Sequence, residues 1–169
     1  VPLKAGIEVS VAATKSYTAQ LAALYWVGLY LAEQKNSLPA EQLAAFKQDL
    51  CELPAKMEEI LSNAAAVKSV ADKLKNFSDM VYIGRGINLA SALEGALKLK
   101  EISYINANGY AAGELKHGPI ALLDENMPVM AVLGPGITLP KMISNCEEAK
   151  ARNALLAAVV SEKADIAPG

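Results

Sequence analysis

Met80-Val81-Tyr82-Ile83-Gly84-Arg85-Gly86 is the stretch on which the fold turns. Four apolar or aromatic residues run without a break and stop at two glycines around an arginine. A strand buried on both faces reads as such a run, and glycine marks the loop where it ends. Downstream, Leu89 to Ile105 reads as one long helix, followed by a loop rich in Asn and Gly and a short helix around Pro119 to Leu122. Pro128 to Leu133 reads as a second strand, Pro140 to Arg152 as a helix, and Leu155 to Val160 as a third strand. Strands alternating with helices predict an α/β fold built on a doubly wound parallel sheet.

Upstream of residue 77 the periodicity is helical. Thr14 or Ser16 can cap a helix from about Tyr17 to Gln34, with Leu21, Leu24, Tyr25, Leu29 and Ala32 at helical spacings. Pro39 suits the first turn of a second helix ending near Leu50, and Pro54 opens a third to about Ser62. Ala64 to Lys75 reads as a fourth. The chain is therefore expected to divide into a helical N-terminal part, residues 1–76, and a sheet-bearing part, residues 77–169.

Composition narrows the function. The 169 residues are 53% hydrophobic and only 5% aromatic, a mix that suits helices on a small sheet better than a β-sandwich. A net charge of −2, with no basic run, speaks against nucleic acid or an anionic membrane as partner. Cys51 and Cys146 belong to no metal-ligand or redox spacing and read as two reduced thiols. The opening Val1-Pro2-Leu3-Lys4-Ala5-Gly6 has no signal-peptide pattern, and the apolar stretch Leu21 to Ala32 is too short to span a bilayer. The expectation is a soluble cytoplasmic protein. Ala164 to Gly169 reads as the approach to a further helix.

Candidate chemistry gathers downstream of residue 77. Glu94, Lys98, Glu101 and Ile105 follow i, i+4, i+7, i+11 on a helix that is apolar nearly all round, so they share one face, while Lys100 points elsewhere. A mostly buried helix must either expose such a face or pair its charges. A solvated ion pair is the plain alternative to a catalytic role. His117 is the only histidine, set in Gly113-Glu114-Leu115-Lys116-His117-Gly118-Pro119, where its ring need not fill a core and can move protons near neutrality. Gly84-Arg85-Gly86 resembles the start of a dinucleotide loop but has Leu89 where a third glycine belongs. A turn that leaves room for a ligand or a neighbouring chain is the simpler reading. Thr14-Lys15-Ser16 lacks the upstream glycines of a phosphate loop and reads as a helix start.

Three blocks carry a family resemblance. Ala92-Leu93-Glu94-Gly95-Ala96-Leu97-Lys98-Leu99-Lys100-Glu101-Ile102-Ser103-Tyr104-Ile105 and Tyr110-Ala111-Ala112-Gly113-Glu114-Leu115-Lys116-His117-Gly118-Pro119 resemble the second sugar-isomerase lobe of the glucosamine-6-phosphate synthase family. The segment from Ala5 to Leu21 resembles the stretch that closes that family's first lobe. The resemblance implies a flavodoxin-like lobe, preceded by the end of the first lobe and a helical connector. It implies part of an enzyme that converts fructose 6-phosphate and glutamine-derived ammonia to glucosamine 6-phosphate, without metal or organic cofactor. By the same resemblance, Glu101 shuttles a proton between C1 and C2, and Lys98 stabilises enediolate-like charge. His117 assists ring opening and reaches the site of a neighbouring subunit. Val11, Ala13 and Thr14 line the sugar site, Val11 and its neighbours through backbone groups. The implied partners are a sugar phosphate and a second copy, in a homodimer or larger assembly.

The departures also have meaning. Ala13 stands where many members carry a sugar-contacting Ser, and Asn106 and Asn108 replace a His and a Glu that often follow the helix. The family's phosphate loop and glutaminase domain are expected upstream of Val1 and its Schiff-base Lys downstream of Gly169, so the chain alone is not expected to complete the reaction. Rival readings are a glutaminase-free sugar-phosphate isomerase or deaminase, and a non-catalytic sugar-phosphate sensor. The joint presence of Glu101, Lys98 and His117 argues against the sensor.

Overall fold

A computed structural model describes residues 2–161. The expected helix approach at Ala164 to Gly169 and the expected carboxyl end of the second part lie outside the described residues. The chain forms two compact units, Val1–Ser69 and Val70–Gly169.

The first unit is helical. α1 spans Lys15–Gln34 and α2 spans Ala40–Ser62, and Lys47 on α2 bonds Glu33 on α1 at 2.9 Å. The sequence reading split α2 at Pro54, but the helix runs through it. A helical proline forfeits one backbone hydrogen bond and crowds the preceding turn. The carbonyl that Pro54 leaves free is that of Leu50, which is only half-buried and is followed by ten exposed residues, 51–60, so solvent can take it and the helix continues. Thr14 occupies the N-cap of α1 without a side-chain cap bond. Glu8 does that work instead: its carboxylate accepts from the Ser16 amide at 3.2 Å and the Ser16 hydroxyl at 2.7 Å. α1 buries none of its residues, and Leu24, Tyr25 and Tyr30 are more than half exposed. Among the described residues no helix is long and apolar enough to cross a membrane.

α3, Ala64–Leu74, leads to the sheet of the second unit. That sheet has β1 (Asp79–Gly84), β2 (Asn106–Ala111), β3 (Val129–Leu133) and β4 (Leu156–Val160), in the order β2-β1-β3-β4. All pairings are parallel, with Val81 opposite Asn108 on one side and Val129 on the other. The doubly wound expectation holds because successive strand residues face opposite ways. Val81 and Ile83 join Val129, Ala131 and Leu133 in a core completed by Met142, Cys146 and Ala149 of α5 (Leu139–Lys150). Met80 joins Ala107 and Ala96 of α4 (Asn88–Ser103) in a second core, flanked by Tyr82, Leu99 and Met130.

Two sequence expectations need correction here. Asn106 to Ala111, read as loop, is the edge strand β2. Asn and Gly are poor strand formers, yet the backbone of β1 supplies a full ladder and context overrides propensity. Gly109 also lets Leu93 approach so closely that a β-carbon at 109 would sit 2.8 Å from Leu93 Cδ2. The asparagines use their amides along this edge, Asn106 donating to Asp79 at 2.8 Å and Asn108 to Asn106 at 3.1 Å. α4 is also less buried than its composition suggests. Only Ala92 and Ala96 are fully covered, while Leu93, Leu97 and Ile102 are exposed. The small residues let the helix lie close to the sheet, Leu93 reaches over Gly109, and Leu97 and Ile102 stay exposed.

Cys51 is exposed and Cys146 buried, and neither is in a disulfide. Burial, helped by the nearby Glu147, pushes the Cys146 thiol up to about 11.

Gly84 fixes the start of α4. A β-carbon at 84 would lie 2.4 Å from the Asn88 carbonyl oxygen, a backbone atom that cannot step aside. Gly84→Ala is expected to cost at least about 2 kcal/mol, as overpacking at a rigid site does. Gly28 in α1 has open space around it. Gly28→Ala is expected to stabilise the chain by about 0.5–1 kcal/mol through helix propensity. Urea denaturation of both variants checks the pair, and equal effects would show that local space does not govern either site.

Candidate active site

Lys98 stands between two carboxylates on α4. Its ammonium lies 2.7 Å from Glu101 Oε2 and 3.5 Å from Glu94 Oε1. The three side chains keep only 20–28% of their surface exposed, so the group is neither a freely solvated face nor a dry interior pair. Helical spacing makes the arrangement: residues three and four apart stack on one face, and Lys98 reaches back to Glu94 and forward to Glu101. Ile105 does not continue the face, because Tyr104 ends the helix in a left-handed conformation with φ 63°. Lys100 turns toward β2 and donates to Asn108 at 3.3 Å.

The electrostatics follow from these contacts. The hydrogen bond to Glu101, with the charge of both carboxylates, holds the Lys98 ammonium above its ordinary value of 10.5. Lys98 is thus a fixed cation at neutral pH and suits charge stabilisation rather than proton removal.

His117 is exposed at the end of a 3₁₀ segment, Ala112–His117, that follows β2. Ala112 and Leu115 plant one side of that segment in the core. β1, β2 and β3 all run the same way, so α4 must return antiparallel to them. Glu101 in its last turns therefore lies toward the end where β2 begins, and His117 beyond the end where β2 finishes. A strand of this length separates the ends by on the order of 15 Å. The chain brings Lys98 to Glu101 but keeps His117 away from both.

Val11, Ala13 and Thr14 belong to the first unit. Val11 is 90% exposed in a bend where the Ala12 amide donates to Ser10 Oγ at 3.2 Å. Ala13 is half-buried, and the Thr14 carbonyl accepts from the Thr18 amide and hydroxyl at 3.1 and 2.9 Å. Among the described residues no cluster of His, Cys, Asp or Glu could hold a metal ion.

The sequence reading missed a polar chain in the second unit. Arg85, just past β1, donates from Nη1 to Asn145 Oδ1 at 3.1 Å. Asn145 is 6% exposed and donates to Glu148 Oε2 at 3.2 Å. The other oxygen of Glu148 takes the Lys116 ammonium at 2.8 Å. The Lys116 bond holds the Glu148 carboxyl below its usual range, with the Asn145 amide adding to it. The partners come from three separate stretches of chain, so no local motif announces them.

A four-stranded parallel sheet with helices packed on it is the fold of a sugar-isomerase lobe. The SIS domain family model matches residues 73–168, more than half of the chain, and the chain belongs to that family. It is 51% identical over 92% of its length to a glutamine–fructose-6-phosphate aminotransferase (isomerizing) of Synechocystis, of which it covers 25%. A Methanosarcina acetivorans protein of the same name is 46% identical over 95% of the chain, with 26% of that protein covered. The chain thus spans about a quarter of the length of these relatives. Among solved structures, the C-terminal domain of a glucosamine-fructose-6-phosphate aminotransferase from Francisella tularensis superposes with a TM-score of 0.90 at 42% identity, covering 94% of this chain and 45% of that one. The resemblance read from residues 92–105 and 110–119 is borne out in sequence and in fold.

The raised Lys98 ammonium has a consequence for stability. A lysine whose folded-state value is raised adds stability below its unfolded value and loses it as pH rises through the folded one. The contribution is therefore whole at neutral pH and disappears only above about 10.5. In Glu101→Gln the Lys98 titration, followed by side-chain NMR, is expected to move down toward the ordinary value. An unmoved titration would mean that Glu101 is not its main partner.

Proposed function

We propose that this chain supplies the isomerase chemistry of a glutamine–fructose-6-phosphate aminotransferase. Residues 1–76 close a first sugar-isomerase lobe and form a helical connector, and residues 77–169 make up most of a second lobe. The observation that carries the reading is Lys98 held 2.7 Å from Glu101 within the SIS-matched segment. The substrate is fructose 6-phosphate with ammonia released from glutamine elsewhere in the enzyme.

The chemistry is a proton transfer between neighbouring carbons. Ammonia condenses at C2 with loss of water to give an imine. Glu101 takes a proton from C1, the C–H pair forms a C1–C2 double bond, and the imine nitrogen gains a proton. Glu101 then returns its proton to C2 as the O1 hydroxyl loses its own and becomes the aldehyde. One carboxylate serves as base and acid in turn, and the Lys98 ammonium offsets charge gathering at O1. His117 acts earlier, giving a proton to the ring oxygen as the C2–O bond breaks while the C2 hydroxyl releases its proton to water. Val11, Ala13 and Thr14 border the sugar, with backbone groups of the bend as donors and acceptors.

Self-association belongs to the same proposal. One chain keeps His117 far from Glu101, so a second copy is needed to bring an imidazole to each carboxylate. The exposed apolar residues of α1 support the same conclusion. Light scattering is expected to show a dimer or larger, and a monomer at high concentration would refute this part.

Glu101→Gln in the full-length enzyme removes the base and keeps the shape. Turnover is expected to fall by at least about two orders of magnitude while fructose 6-phosphate affinity stays nearly unchanged. Glu94→Gln is expected to have a smaller effect on turnover, since Glu94 also touches Lys98 but lies one turn further from the reacting carbon. Near-normal turnover in Glu101→Gln, or equal losses in the two variants, would sink the assignment.

A further inference from the structure

We propose that the chain Arg85–Asn145–Glu148–Lys116 is a positioning device for His117, fixing the 3₁₀ segment so that its imidazole is presented outward to a second copy's sugar. The inference rests on the ring-opening role proposed for His117 and adds residues that the role alone does not name.

The geometry of the segment carries the argument. In a 3₁₀ helix residues three apart eclipse one another, so Ala112–His117 has three columns. Ala112 and Leu115 form the buried column, each 0% exposed. Gly113 and Lys116 form the second. Glu114 and His117 form the third, and both are exposed. The second column is the one that meets the polar chain. At Gly113 a β-carbon would lie 3.0 Å from Arg85 Nη1 and 3.4 Å from Nη2, so the guanidinium fills the space that a side chain would need. At Lys116 the ammonium bonds Glu148 at 2.8 Å.

One column thus anchors the segment in apolar packing, and the second abuts the Arg85 guanidinium at Gly113 and takes one charge-assisted bond at Lys116, which leaves the third with a single direction. Apolar contacts alone allow a short helix to roll about its axis. A steric stop at Gly113 and an ion pair at Lys116, three residues apart on an adjacent column, prevent the roll. Asn145 makes the anchor rigid, because it is almost fully buried and bonded on both sides of its amide. A buried amide with both partners placed has one orientation. Gly118 then ends the segment at φ 143°, a conformation that turns the chain sharply after the imidazole.

Nothing in this network touches the reacting atoms of its own chain, and its strongest link ends at the residue next to His117. A purely structural salt bridge would serve equally well anywhere on α5. This one is tied through a buried amide to the loop at the end of β1 and to the histidine segment.

The test uses the full-length enzyme and two substrates. Fructose 6-phosphate closes its ring through the C5 hydroxyl, so 5-deoxyfructose 6-phosphate cannot close a furanose and needs no ring opening. Lys116→Met and Glu148→Gln break the link without removing core residues, since Lys116 is 60% exposed. Each is expected to lower kcat on fructose 6-phosphate about tenfold and to leave the deoxy analogue within about twofold, short of the ~10²-fold that a 1 Å misplacement can cost. Lys116→Arg, which keeps the pair, is expected to behave as the parent on both substrates. Equal losses on the two substrates, or no loss on either, would overturn the positioning role. His117→Ala separates this from the reading beneath it. If that variant discriminates between substrates and the network variants do not, the network inference alone fails. If His117→Ala loses equally on both, the ring-opening role itself falls.

Discussion

The carbonyl of Asn88 rests 2.4 Å from where a side chain at residue 84 would begin. That contact decides how soon α4 can start after β1 and how closely it lies on the sheet. Because β1 pairs in parallel on both sides, its successor helix must run back along the whole sheet before β2 can begin. Ala92 and Ala96 keep that return path close, and Gly109 receives Leu93. Everything that α4 carries is then fixed in height. The lysine and its carboxylates come to one end of the sheet, while the strand-end loops and the histidine segment occupy the other.

The separation makes sense of a division of labour. Under the proposed reading, proton transfer between carbons and opening of the sugar ring are separate events that need different groups. A carboxylate paired to a permanent cation can accept and return a proton with little rearrangement, because the lysine retains Glu94 when Glu101 is neutral. An exposed imidazole on a braced segment can serve a site outside its own chain. Neither group needs the other within one subunit. On that reading, a mutation that loosens the bracing acts on ring opening alone, and one that alters the α4 charges acts on proton transfer.

Periodicity made most of this legible. β1, β3, β4, α1, α4 and α5 were readable because apolar residues recur at strand or helix spacing and because glycine or proline marks their ends. The face shared by Glu94, Lys98 and Glu101 follows from spacing alone, and the contacts agree. β2 was not legible, since its Asn and Gly residues have no strand preference and its ladder is dictated by β1. The continuity of α2 through Pro54 was hidden for a different reason: whether a helical proline breaks a helix depends on what surrounds the freed carbonyl. The bracing of His117 was beyond any local reading. Arg85 and Asn145 lie 60 positions apart, and their meeting is a property of the closed fold. The burial of α4 was overread because its composition says nothing about which side its large residues take.

The two thiols differ in a way that has a practical side. Cys146 is sealed on the core face of α5, and its thiol is pushed up to about 11, so almost none of it is thiolate at neutral pH. Cys51 lies open on α2. Of these two thiols an alkylating dye or spin label therefore reaches only Cys51, in the helical unit. The helical unit can therefore carry a reporter at Cys51 without Cys146 first being replaced.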